Sequence, residues 1–163
     1  MVGRELQQAT GVVPRVIGPG ELRLGRLTVV VRRGRATLRY AREPVGRARA
    51  EVDDIAAAWR RALARLEARS LPPDELLPRL AAAYRKLAIT RAPLVAIRAK
   101  LAYARAQFAW DLARLRRERR LSLANKRLDL GIATGHSTSR RSRVVWIEDD
   151  GGGGAFYETL RFV

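Results

Sequence analysis

The sequence predicts an α+β protein: an amino-terminal β-hairpin, a three-helix body with a long central third helix, and a carboxy-terminal β-hairpin. Apolar residues alternate with polar ones over residues 22–41, which is the period of a strand, and residues 144–163 also have the composition of strands around a glycine-rich tip. Residues 47–120 instead repeat apolar positions every three or four residues, which is the period of a helix. A chain of 163 residues can bury one core, so a single small domain over 1–163 is expected.

The first predicted hairpin turns at Arg32-Arg33-Gly34-Arg35. A glycine at this place permits the positive φ angle that tight hairpin turns require. Alternating apolar residues flank the turn on both sides: Leu27, Val29, Val31, Ala36, Leu38 and Tyr40. Four arginines, Arg23, Arg33, Arg35 and Arg39, then lie at the turn or on the outward face. Such charges usually keep a sheet face solvated, and phosphate contact is the alternative interpretation.

Three helices are predicted over residues 47–120. Acidic residues open the first helix and Leu71-Pro72-Pro73 ends it, while Asp74 begins the second. The third is expected to run from Arg91 to about Arg120, roughly 45 Å at 1.5 Å per residue. One of its faces carries mostly alanine, which favours close packing on another helix of this chain or of a second copy. A homo-oligomer or other protein subunits are therefore expected partners.

Residues 121–143 are predicted to form a basic loop or short helix, and 144–163 a hairpin with an acidic, glycine-rich tip. The segment from Leu121-Ser122 to Leu130-Gly131-Ile132 resembles the turn region of repressor-type helix-turn-helix domains. Lys126 and Arg127 stand where that family has a buried leucine and alanine. The resemblance implies a recognition helix beginning at Thr134.

The balance of charge indicates a polyanionic partner. Lysine and arginine number 33 against 16 acidic residues, a formal charge of +17. A nucleic acid would neutralise this surplus with release of its condensed counterions. Arginine outnumbers lysine strongly, which suits bidentate binding of phosphate but is also typical of a GC-rich genome, and so of a prokaryotic or phage-encoded chain.

The densest cluster of cations closes the predicted third helix and is the first candidate for phosphate contact: Arg114, Arg116, Arg117, Arg119 and Arg120. The other candidates precede this cluster on the same helix, follow it, or lie at the first hairpin turn: Arg91, Arg98, Lys100, Arg105, Lys126, Arg127, Arg140, Arg141, Arg143, Arg33 and Arg35. Trp110 is a candidate for stacking on bases if its ring is exposed.

Several site classes have no support. The chain has no cysteine and one histidine, His136, which excludes disulfides, thiolate zinc sites and most histidine metal sites and catalytic triads. No catalytic residue, metal ligand or cofactor is predicted. Apolar runs fall well short of the roughly 20 residues that a membrane span requires, so no membrane contact and a cytoplasmic, intracellular location are expected.

The sequence therefore favours a non-enzymatic nucleic-acid-binding protein that contacts the phosphate backbone through arginines, as a small subunit or accessory factor of a larger nucleoprotein complex. DNA and RNA are not distinguished. The main alternative is a structural or adaptor protein of a phage particle or another assembly that binds acidic protein surfaces. A helix-turn-helix DNA-binding regulator is the lesser alternative.

Overall fold

The computed structural model of the chain describes residues 2–87, 90–135, 138, 140–149 and 151–163. It divides into two compact units, residues 1–69 and 70–163. The described residues form five helices and ten strands, and the strands lie in two antiparallel sheets. The protein is α+β, but the predicted three-helix body between two hairpins is wrong.

The amino-terminal unit is a meander of five strands with a helix before and after it. Its elements are α1 (Val2–Thr10), β1 (Arg15–Gly18), β2 (Glu21–Leu24), β3 (Leu27–Arg32), β4 (Arg35–Tyr40), β5 (Glu43–Arg49) and α2 (Val52–Ala68). Each strand pairs with the next one along the chain. The predicted hairpin over 22–41 is therefore only the middle of a larger sheet.

Two-residue turns make this meander possible. The predicted turn is present at Arg33 and Gly34, with φ angles of 49° and 73°. The next turn uses Ala41 and Arg42, at φ 49° and 66°, where asparagine and glycine are the usual residues. Sequence reasoning missed β5 because no glycine marks this turn and Pro44 lies just after it.

One face of the amino-terminal sheet packs on α2. Val29 and Leu38 lie on this face and are fully buried. Gly46 brings β5 close to the helix, since a Cβ added there would lie 3.8 Å from the Cβ of Ala62. Trp59 of α2 donates its indole N–H to the carbonyl oxygen of Leu24 at 2.9 Å. The helix thus covers one side of the sheet, and successive side chains of each strand point alternately towards the helix and away from it.

The carboxy-terminal unit packs helices on a second sheet. Its elements are α3 (Pro73–Leu87), β6 (Ala92–Pro93), α4 (Leu94–Lys100), α5 (Arg105–Arg117), β7 (Ser122–Leu123), β8 (Lys126–Ile132), β9 (Val145–Glu148) and β10 (Gly154–Phe162). The strand order is β6-β10-β8-β7, and β9 also pairs with β10. Phe108, Leu112, Ile147 and Leu160 are buried in its core.

The predicted long third helix is wrong because the chain leaves helical geometry at residues 101–104. Ala102 takes a φ of 55°, and the N–H of Tyr103 bonds to the carbonyl of Arg98 at 3.1 Å while that of Ala102 bonds to Ala99. This is a Schellman ending with alanine in the position where glycine is usual. The predicted alanine face is interrupted as well: Ala99 and Ala102 are exposed, whereas Ala109 and Ala113 are buried.

The segment that resembles a helix-turn-helix is a β-hairpin. Strands β7 and β8 pair with Ser122 opposite Arg127 and Leu123 opposite Lys126, and Ala124 in the turn has a φ of 52°. Strand β8 then pairs with β10 over Leu128 to Ile132. The exposed Lys126 and Arg127 suit a hairpin end better than the buried positions of the helical motif. The helix-turn-helix that the resemblance implies is therefore not present in this segment.

Candidate nucleic-acid interface

The sheet of the amino-terminal unit presents a basic surface on the side that α2 does not cover. Seven arginines lie there, on alternating positions of all five strands, and we call them the arginine face: Arg15, Arg23, Arg32, Arg35, Arg39, Arg47 and Arg49. Six are exposed and Arg23 is half-buried. Residues 15–49 hold ten arginines and two glutamates, a net charge of +8 for 35 residues.

Strand register places most of these arginines in two rows that cross the sheet. In the first row, Arg32 lies opposite Arg35, and Arg35 lies opposite Arg49. In the second row, Arg15 lies opposite Arg23 at one end and Arg39 stands at the other. Thr28 of β3 continues this second row, since it pairs with both Arg23 and Arg39. Arg47 lies between the rows, opposite Thr37.

The two rows bring like charges face to face. Residues directly opposite in an antiparallel sheet have Cβ atoms about 5 Å apart, and like charges in such pairs destabilise the sheet. The arginine face nevertheless contains three arginine pairs of this kind: Arg15 with Arg23, Arg32 with Arg35, and Arg35 with Arg49. Folding alone gives no reason for this arrangement, whereas an anion lying across the rows would relieve the repulsion.

Few carboxylates balance the arginine face. Glu21 lies 3.9 Å from Arg32, and that guanidinium stays 78% exposed. Glu43 lies opposite Tyr40, which is buried on the other side of the sheet. Among the residues that the structure describes, the guanidinium groups of Arg35, Arg39, Arg47 and Arg49 have no hydrogen-bond or ion-pair partner. These four groups are available to a ligand.

A shallow hollow lies over β4 and β5. The hollow is open to solvent and has a volume of about 710 Å³. Arg33, Arg35, Arg47 and Arg49 line it together with Thr37. An open hollow lined by cations suits an extended anion that lies on the surface.

Four of the predicted cations of the carboxy-terminal unit bond to oxygen atoms of the same unit. Arg98 donates to the carbonyl of Tyr103 at 2.7 Å, and Arg105 donates to the carbonyls of Arg141 and Val144 at 2.8 Å each. Arg114 pairs with Glu118 at 2.8 Å and Arg120 pairs with Asp74. These arginines therefore stabilise loops and helix ends of the carboxy-terminal unit.

The remaining predicted cations of this unit are mostly exposed. Arg116 lies over the ring of Tyr157, 5.2 Å from its centroid, and Arg91 lies near Gly131. Arg117 is half-buried, and Arg141 is exposed with other contacts of its own. The other predicted cations are exposed: Lys100, Arg119, Lys126, Arg127, Arg140 and Arg143. Trp110 is 3% exposed, so it packs in the core and the predicted base-stacking role is wrong.

Asp111 is the one charged side chain buried among the described residues, at 1% exposure. It accepts hydrogen bonds from the Tyr103 hydroxyl at 2.7 Å, from the Leu71 N–H at 3.2 Å and from Gln107 at 3.2 Å. Burial, reinforced by the hydrogen bond to this carboxylate, raises the pKa of Tyr103 above its ordinary value. The network joins α5 to two loops of its unit, which indicates a structural role.

No group of three or more histidine, cysteine or acidic residues that could hold a metal ion occurs in the described part of the chain. His136 lies outside the described residues. The described helices include none that is long and apolar enough to cross a membrane.

Four members of the arginine face were missed from the sequence: Arg15, Arg32, Arg47 and Arg49. The signal for two of them was present, because Arg47 and Arg49 flank Ala48 at the period of a strand. The helical period that begins nearby predicts the start of a helix there instead, which gives these arginines no sheet face on which to lie.

Comparison of the chain with protein-family models, with curated proteins and with solved structures finds no match.

Proposed function

We propose that this is a non-enzymatic nucleic-acid-binding protein whose arginine face contacts the phosphodiester backbone. It serves as a small subunit or accessory factor of a larger nucleoprotein complex. The observation that carries the proposal is the row formed by Arg32, Arg35 and Arg49, in which like charges lie directly opposite each other on three adjacent strands.

Arginine suits this task physically. Its planar guanidinium donates two parallel hydrogen bonds to one phosphate and remains charged at every physiological pH. Phosphates neutralised in this way release condensed counterions, so binding weakens steeply with added salt. Contacts of this kind position a protein on nucleic acid without reading its sequence. We therefore expect little sequence preference.

The experiment compares two double reversals of equal charge. The test variant is Arg35→Glu with Arg49→Glu, and the control is Arg119→Glu with Lys126→Glu in the other unit. The two control side chains are exposed, and neither has a hydrogen bond or ion pair to another side chain among the described residues. Both variants lower the formal charge by four, so non-specific attraction changes equally. Dissociation constants for a labelled nucleic acid are measured by fluorescence anisotropy at fixed salt.

The test variant is expected to bind about tenfold or more weakly than wild type, and the control to bind much as wild type does. Folding of both is checked by circular dichroism. Equal losses in the two variants would mean that total charge, and not the arginine face, drives binding. A loss confined to the control would move the site to the carboxy-terminal unit. If wild type binds no nucleic acid at low salt, the proposed function fails.

A further inference from the structure

The arginine face carries two tracks of positive charge instead of one. The row of Arg32, Arg35 and Arg49 spans three strands, which is about 10 Å at the usual spacing between strands. The row from Arg15 to Arg39 spans four strands, or about 14 Å. Arg35 and Arg39 stand four residues apart on β4, so the tracks are separated by about 13 Å.

This separation is on the scale of a nucleic-acid groove, which is roughly 12 Å for the major groove of B-form DNA. Two strands that border one groove present two lines of phosphates, and each line would lie along one arginine track. A single strand presents only one line of phosphates. The second track would then have no partner.

The arginine face also has no platform for unpaired bases. Proteins that hold single strands stack bases on aromatic side chains, and this stacking supplies much of the affinity. Residues 15–49 contain one aromatic residue, Tyr40. Its side chain is 2% exposed and lies on the side of the sheet that faces α2. Between the two tracks stand Glu21, Val30, Thr37 and Arg47, none of which has an aromatic ring.

From these two observations we infer that the ligand of the arginine face is a duplex, bound through the backbones of both its strands. This inference rests on the proposed function and specifies its substrate class. The groove and the two backbones that border it would run across the strands of the sheet, parallel to the two tracks. The longer track is about 14 Å, so the contact covers only a few phosphates of each backbone.

The full chain is titrated into three labelled probes at the same salt concentration: a mixed-sequence strand of about 20 nucleotides, its complement, and the duplex of the two. The duplex is expected to bind about tenfold or more tightly than either strand. A single strand that binds as tightly as the duplex would overturn the inference and leave the proposed function standing. Binding to none of the three would overturn the proposed function itself.

A gain-of-function variant gives a second readout. Thr37→Tyr places an aromatic ring between the two tracks, at an outward position of β4 where aromatic residues are favourable in a strand. The variant is expected to bind single strands about fivefold more tightly than wild type while its affinity for the duplex stays within about twofold. If the wild-type face already held unpaired bases, the new ring would leave single-strand affinity unchanged or lower it. That result would contradict the inference.

Discussion

Arg35 and Arg105 each stand at the first position of a regular element, and their surroundings differ. Arg35 begins β4, has an arginine opposite it on either side, and its guanidinium has no partner among the described residues. Arg105 begins α5 and donates hydrogen bonds to the carbonyl oxygens of Arg141 and Val144. The guanidinium of Arg35 can therefore bind a ligand, whereas that of Arg105 holds the loop at Arg141 and Val144 against the start of α5.

The same difference extends to the neighbours of each. In the carboxy-terminal unit, Arg98, Arg114 and Arg120 are bound to carbonyl or carboxylate oxygens. In the amino-terminal sheet, Arg23 also donates to a carbonyl oxygen, that of Gly25, whereas Arg39, Arg47 and Arg49 have no such partner in the described part of the chain. Density of positive charge along a sequence is therefore a poor guide to a binding surface. What distinguishes the arginine face is that strand register places its cations directly opposite one another.

The buried carboxylate of the carboxy-terminal unit should give the largest effect on stability. Asp111→Ala leaves the Leu71 N–H and the Tyr103 hydroxyl without their acceptor. We expect a loss of about 2–3 kcal/mol in the free energy of unfolding, measured by urea denaturation. The control is Asp129→Ala, which breaks the half-exposed pair with Arg161 and should cost less than about 1 kcal/mol. Equal costs would contradict a structural role for the Asp111 network.

Replacing Arg35 or Arg105 with glutamine should change the free energy of unfolding in opposite directions. Arg105→Gln loses two hydrogen bonds donated by a charged group and should destabilise the protein by about 1–2 kcal/mol. Arg35→Gln removes the repulsion from two opposite arginines. It should leave the stability of the protein unchanged or raise it by about 0.2–0.5 kcal/mol. Both are measured by denaturation at low salt. A destabilising Arg35→Gln would show that this arginine supports the fold.

The break between α4 and α5 predicts an unusual effect of glycine. Ala102 has a φ of 55° at an exposed helix end, so Ala102→Gly should stabilise the protein by about 0.5–1 kcal/mol. In an uninterrupted helix the same substitution would destabilise it by about 1 kcal/mol. Thermal denaturation gives the sign directly.

Tyr103 should make stability depend on alkaline pH. Its pKa is raised in the folded protein, so folding favours the neutral hydroxyl. This contribution is complete below about pH 10, the ordinary pKa of tyrosine, and is lost as the pH rises above it. Tyr103→Phe should remove this part of the alkaline loss, seen as a smaller fall in midpoint denaturant concentration between pH 9 and pH 11. An unchanged slope would mean that the hydroxyl titrates normally.

The sequence predicted the parts of the fold that have local signals. The turn at Arg33-Gly34, the amphipathic α2 and the strands near the carboxyl end follow from periodicity and from glycine. At the turn of Ala41-Arg42 and at the helix end of Ala102, residues other than glycine adopt positive φ angles. Nothing in the sequence therefore marks these two places. Arg47 and Arg49 were missed for the same reason, because they join the arginine face only after the Ala41-Arg42 turn creates β5.

The most direct measurement is chemical modification of arginine by phenylglyoxal in the full chain, with and without duplex, with each modified site quantified by mass spectrometry. Bound duplex is expected to protect Arg35, Arg39, Arg47 and Arg49, while the exposed Arg119 and Arg127 of the other unit keep their reactivity. Protection of Arg119 and Arg127 with full reactivity at Arg35 and Arg49 would contradict the assignment of the nucleic-acid interface to the arginine face.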